Sequence, residues 1–303
     1  MNCVQNGYKG IGVEVIGYTK HPAKVMWDML KQTWIKLQCI EYDPNNLTVR
    51  EFIIGSLEKR LNPTPQETVL IQCVFKNISR VNLAQLTRHR GWLFQVESQM
   101  PQHVKHNVIL PLNIVQSEFY ERAVKLIEES QALYDDMTKG NDDGKDNTVI
   151  PYQDARYLLM HGQTCDASCS FTLPQLVNVC GQRLENNTAD EINYAFRLLL
   201  KELKKVIALD DEMDELDKLV YKYNLMKCDA FGANQKKCFT CDDVFGNSFK
   251  RFEDAHGAVT NATIYCKFDY TKSAWYAELK RIYNEEPELL LPGEKEMIES
   301  WED

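Results

Sequence analysis

Ser79-Arg80-Val81-Asn82-Leu83-Ala84-Gln85-Leu86-Thr87-Arg88-His89-Arg90, continuing through Gly91-Trp92-Leu93-Phe94-Gln95-Val96-Glu97-Ser98, is the stretch on which the reading of the chain turns. A β-rich run, Val69-Leu70-Ile71-Gln72-Cys73-Val74-Phe75, leads into it and predicts a central strand over 69–78. Ser79 then suits the N-cap of a helix that ends at the Arg-His-Arg triplet, and Ser98 follows on a strand-like run. The element concentrates cations and hydrogen-bond donors at a turn, where phosphates and ring carbonyls can be held. A lone basic triplet at a helix end ordinarily sits in solvent and complements the helix dipole. The weight therefore lies in what accompanies it.

Gln85 stands ahead of Arg88, and Ser98 beyond Arg90, at fixed intervals. A distant second block reads Ile150-Pro151-Tyr152-Gln153-Asp154-Ala155-Arg156-Tyr157, then Leu173-Pro174-Gln175-Leu176-Val177-Asn178, then Gln182-Arg183-Leu184-Glu185-Asn186-Asn187-Thr188-Ala189-Asp190-Glu191-Ile192. Together, in order and over roughly residues 10 to 225, the blocks resemble the signature of the flavin-dependent thymidylate synthases. The resemblance implies an α/β fold with a central, mostly antiparallel sheet and flanking helices. It places Arg88, His89 and Arg90 on the flavin with Asn178 and Asn187, Arg156 on the nucleotide phosphate, and Gln85, Ser98 and Arg183 on the nucleotide. Ser98 and Arg183 would be the catalytic residues.

The chemistry is consistent with those residue types. Methylating uracil at C5 puts negative charge on the ring carbonyls, and a fixed cation such as Arg183 favours that state. A planar guanidinium, as at Arg156, suits a 5′-phosphate. The resemblance further implies conversion of dUMP to dTMP, with methylenetetrahydrofolate supplying the carbon, reduced FAD the hydride and NADPH the reducing power. It implies a homotetramer with sites between subunits and no cysteine nucleophile. Departures from the family pattern fall at Thr68, Val96, Met100, Thr172 and Pro174. They keep open a paralogue acting on another pyrimidine deoxynucleotide such as dCMP, one stopping at hydroxymethylation, and an inactive nucleotide-binding or scaffold protein. Where Met100 replaces a phosphate arginine, Lys105 or His106 is the expected substitute cation.

Around these blocks, the sequence predicts a strand over 12–18 and helices over 22–35, 48–61, 116–137 and 188–209. Phe119, Ala123, Leu126, Ile127 and Leu133 mark the expected inner face of the fourth element, and Ile192, Ala195, Phe196, Leu199 and Leu203 that of the last. A chain of 303 residues, 44% hydrophobic and 26% charged, can bury a large core. Its net charge of −9 disfavours a nucleic acid polymer as partner. The N-terminus carries no signal-like apolar core and no run suits a bilayer, so a cytoplasmic protein without membrane attachment is expected.

Composition shifts after Tyr223-Asn224-Leu225, which divides the chain into a catalytic domain over 1–225 and a Cys-containing appendage over 226–303. In the latter, Cys228, Cys238, Cys241 and Cys266 would suit tetrahedral zinc, although the outer spacings fit free thiols as well.

Overall fold

Strict alternation in the β-rich run buries Ile71, Cys73 and Phe75 on one face of a strand, and that strand is the centre of the fold. The computed structural model describes residues 3–99, 104–139, 150–184, 190–230, 237–238, 250–251 and 276–300. In chain order these form β1 (Cys3–Asn6), β2 (Gly12–Tyr18), α1 (Pro22–Leu30), α2 (Leu47–Leu57), β3 (Leu70–Ser79), α3 (Arg80–Leu86), β4 (Leu93–Val96) and β5 (Asn107–Leu110). There follow α4 (Leu112–Val115), α5 (Tyr120–Thr138), α6 (Tyr152–Ala155), β6 (Thr164–Thr172), α7 (Leu173–Arg183), α8 (Asp190–Leu209), α9 (Glu215–Asp229), α10 (Tyr276–Glu285) and α11 (Glu294–Glu299). The main sheet is antiparallel throughout, in the order β2-β3-β6-β4, and β1 pairs in parallel with β5. An antiparallel sheet with flanking helices is the architecture that the family resemblance implies.

The expected inner face of α8 is the observed one: Ile192, Ala195, Phe196, Leu199 and Leu203 are all buried, with Phe196 against Phe75 of β3. Elsewhere the predicted elements shift. Trp34 adopts extended backbone and splits the tail of the first helix into two short 3-10 turns beyond Leu30. The helix predicted over 116–137 begins only at Tyr120, as α5. Phe119, the N-cap of α5, and Leu126 and Leu133 on it are exposed, whereas Ile127, Gln131, Tyr134 and Thr138 face inward. Residues spaced by seven do share a face, but it is the solvent side of this helix.

The boundary expected at 225/226 falls inside α9. Farther along, Leu279, Ile282, Leu289, Leu291 and Ile298 join the same core as β3 and α8. Arg197 of α8 and Glu294 of α11 form an ion pair with no exposed side-chain surface, in which Nη2 lies 2.6 Å from Oε1. No helix among the described residues is long and apolar enough to cross a membrane.

Candidate functional site

The turn that carries the triplet is built from both ends. Ser79 caps α3 by accepting from the Asn82 N–H, and is itself held by Glu191 of α8, which accepts from the Ser79 N–H at 2.7 Å and from its hydroxyl at 2.5 Å. Helix α3 stops at Leu86, so Arg88, His89 and Arg90 lie in the turn beyond it and not on its last turn. Gly91 has φ +85, and a Cβ there would meet the Gln175 side chain of α7 at 2.5 Å; this position demands glycine.

Within the turn the three side chains part company. Arg88 and Arg90 are exposed, while His89 is buried with its ring 5.7 Å from Trp92, which stacks on Phe171 at 4.0 Å. Arg183, the last residue of α7, donates from Nε to His89 Nε2 at 3.0 Å. Burial first, and the neighbouring Arg183 charge second, push the His89 pKa down to about 4. His89 is therefore neutral at pH 7, with Nε2 as acceptor and its proton on Nδ1. Burial and then Arg88 lower the Arg183 pKa, but a guanidinium remains charged. A cationic fork is thus fixed beside a neutral imidazole, with Arg88 adjacent.

The remaining predicted residues lie in other places. Gln85 lines a mainly apolar cavity of about 260 Å³ with Tyr8, Asn82 and Asp190. Arg156 follows α6 on a 3-10 turn, donates from Nε to the Gln153 carbonyl at 3.1 Å, and lines a second cavity of about 320 Å³. Ser98 is exposed and sits two residues past β4, not on the strand; its neighbour Gln99 lines the Arg156 cavity. Arg183 and the triplet line neither cavity. Asn178 is exposed on α7, one helical turn past Gln175. The exposed guanidiniums of Arg88 and Arg90 are donors of the kind that could hold an anionic, carbonyl-bearing cofactor such as FAD. Asn187, Met100, Cys241 and Cys266 lie outside the described residues.

Two departures from the family pattern have structural work instead. Thr172 and Gln175 form a reciprocal capping box with Pro174 in the first turn, so this helix start is made by side chains closing on backbone. Thr68 donates to the Pro65 carbonyl at 2.7 Å. The proposed substitute cations are engaged: Lys105 Nζ lies 3.7 Å from Glu97 Oε1, and His106 Nε2 lies 2.7 Å from Asp135 Oδ1. Cys228 is fully buried in the core of α9 beside Cys180, whose thiol burial and that contact push well up. Cys238 belongs to a two-residue strand. Among the described residues no group of three or more His, Cys, Asp or Glu could hold a metal ion. The sequence reading passed over Arg80, although it stands within the quoted stretch, and over the Trp92–Phe171 stack that backs His89.

A family model described as "Thymidylate synthase complementing protein" matches residues 14–207. The chain belongs to that family. It is thereby an enzyme of the flavin-dependent, methyltransferase type, in a family whose chemistry is pyrimidine nucleotide methylation. Among solved structures, PolB from Streptomyces cacaoi, a UMP/dUMP methylase bound with 5-Br dUMP, matches at TM-score 0.54 and 15% identity, over 72% of this chain and 96% of that one. The same methylase bound with 5-Br UMP matches at 0.52 and 14%, over 74% and 97%. Thymidylate Synthase X from Helicobacter pylori with FAD and dUMP matches at 0.45 and 17%, over 71% and 99%. At such identities the likeness to the two PolB structures speaks for the fold alone. A comparison with curated proteins finds no match.

Proposed function

We propose that this protein methylates dUMP at C5 to give dTMP, with methylenetetrahydrofolate as carbon donor and NADPH as reductant. Reduced FAD, when bound, supplies the hydride. The single observation that carries the reading is the 3.0 Å contact from Arg183 to His89. It joins the residue matching the family's pyrimidine arginine to the triplet matching its flavin side, and the two ligands must meet for a one-carbon unit to be reduced on the ring. Arg183 lowers the barrier by sitting where the ring carbonyls gain charge. His89, neutral and held by Trp92 and Arg183, fixes the direction of that guanidinium. Arg88 and Arg90, with Asn178 and Asn187, hold FAD, and Arg88 adds positive charge to the nucleotide side. Gln85 and Ser98 donate or accept neutral hydrogen bonds to the nucleotide, and Arg156 takes its phosphate.

Gln85, Arg156 and Arg183 face different places within one chain, which fits a homotetramer whose sites draw on more than one subunit. Zinc at Cys228, Cys238, Cys241 and Cys266 would be independent of this chemistry. Rival readings meet the same test: the departures at Thr68, Val96 and Met100 favour an inactive nucleotide-binding protein and leave open another pyrimidine substrate, and PolB is named as a UMP/dUMP methylase. The experiment is a flavin-absorbance titration of the purified, FAD-loaded protein with dUMP, UMP and dCMP, followed by turnover with methylenetetrahydrofolate and NADPH. dUMP should perturb the spectrum at the lowest concentration and yield dTMP. A protein that takes up no flavin, or one that methylates only UMP or dCMP, sinks the proposal.

A further inference from the structure

The cavity beside Arg156 contains a second arginine to which no role has been given. It is walled by Arg80, Arg156, His161, Gln99, Gln163 and Tyr157 among others, and no carboxylate among the described residues lines it. Two guanidiniums border this one cavity, and an anion lying between them would be held by charge-assisted bonds. The chain fixes Arg80 there firmly. Its N–H donates to the Gln163 carbonyl at 3.0 Å and that of Val81 to the His161 carbonyl at 3.2 Å, tying the start of α3 to the segment that forms the opposite wall. Its Nη2 donates to the Glu97 carbonyl at 3.0 Å, one residue before Ser98. Its Nε is buried and has no hydrogen-bond partner among the described residues. A buried donor left in that state is costly.

We propose that Arg80 is the second phosphate-binding cation of the nucleotide site, filling the role that methionine cannot fill at position 100; this rests on the nucleotide reading above. Gln99, immediately before that position in sequence, lines the same cavity. Lys105 and His106 do not line it, and each is already engaged by a carboxylate. Arg80 thereby sets specificity for a nucleoside monophosphate over the nucleoside, without touching the base.

The test is calorimetric titration of the full-length protein with dUMP and with deoxyuridine, for wild type, Arg80→Gln, Arg80→Lys, Arg156→Ala and Lys105→Ala. Wild type should prefer dUMP. Arg80→Gln should lower dUMP affinity about tenfold or more while leaving deoxyuridine affinity unchanged, because the lost bond is to the phosphate alone. Arg80→Lys should recover part of the loss, and Lys105→Ala should behave as wild type. If Arg80→Gln binds dUMP like wild type while Arg156→Ala loses its phosphate preference, the role of Arg80 is refuted and the nucleotide site stands. Equal losses for both ligands would make Arg80 a structural residue and also refute the proposal. A wild-type protein indifferent to the phosphate would overturn the nucleotide reading and this proposal with it.

Discussion

Replacing His89 by glutamine tests the central contact of the site through its proton. The imidazole falls from 6.5 to about 4 on folding, chiefly by burial and secondarily by the charge of Arg183. Between those values the unfolded chain binds a proton that the folded chain refuses, so the contribution is complete above pH 6.5 and is lost as pH falls towards 4. At about 1.4 kcal/mol per pH unit the ceiling is roughly 3 kcal/mol, and solvent reaching the exposed Arg88 side brings the expected value to about 1–2 kcal/mol. Glutamine keeps an acceptor for Arg183 Nε and cannot titrate in this range. Thermal unfolding of both proteins from pH 7.5 to pH 4.5 should show wild type losing ground to His89→Gln by several degrees as the pH drops. Parallel curves, or a wild type that gains on the variant in acid, would refute a neutral His89 held against a cation.

Arg90→Ala should release most of the flavin while far-ultraviolet circular dichroism stays unchanged, because the side chain is exposed and two charge-assisted contacts typically contribute a few kcal/mol between them; retention of stoichiometric FAD would contradict this. Arg183→Ala should reduce kcat by at least tenfold more than it raises the Kd for dUMP, since its proposed contact strengthens only as charge develops. Comparable changes in the two would reassign it to binding. Glu294→Gln should lower stability by about 3–5 kcal/mol by leaving Arg197 charged and buried, read as a fall in the unfolding midpoint; a shift below 1 kcal/mol would show that water reaches the pair.

Local chemistry made some features legible in advance. The bounds of β2, the Ser79 cap and the inner face of α8 all follow from short-range pattern, and the structure reproduces them. The side of α5 that faces inward was not legible, because two apolar stripes compete on that helix and only its neighbours decide between them. The site shows the same division. Its residue types announce cation-assisted nucleotide chemistry, but the sequence does not say that Arg183 reaches back to His89 or that Arg156 and Arg80 border one cavity. At the start of a helix an arginine reads as a solvated charge, and only the cavity it borders distinguishes it. Thr172 misleads in the opposite direction: a departure from a ligand-binding pattern proves to be a helix cap.

The fastening of α8 by the chain's last described helices has a bearing on synthesis. Tyr194 bonds to Glu286, and Arg197 bonds to the Leu289 carbonyl and to Glu294, groups 92 to 97 residues farther on. Lys9, near the other end, pairs with Glu285 across 276 residues. At about 5–20 residues per second, a ribosome adds those partners some 5–20 s after α8 itself. Throughout that interval Arg197 has its Asn193 bond on α8 but not its carboxylate partner, and the apolar surface later covered by Leu289, Leu291 and Ile298 stays open. Vectorial folding therefore completes the packing around α8 only after residues 276–300 have been added.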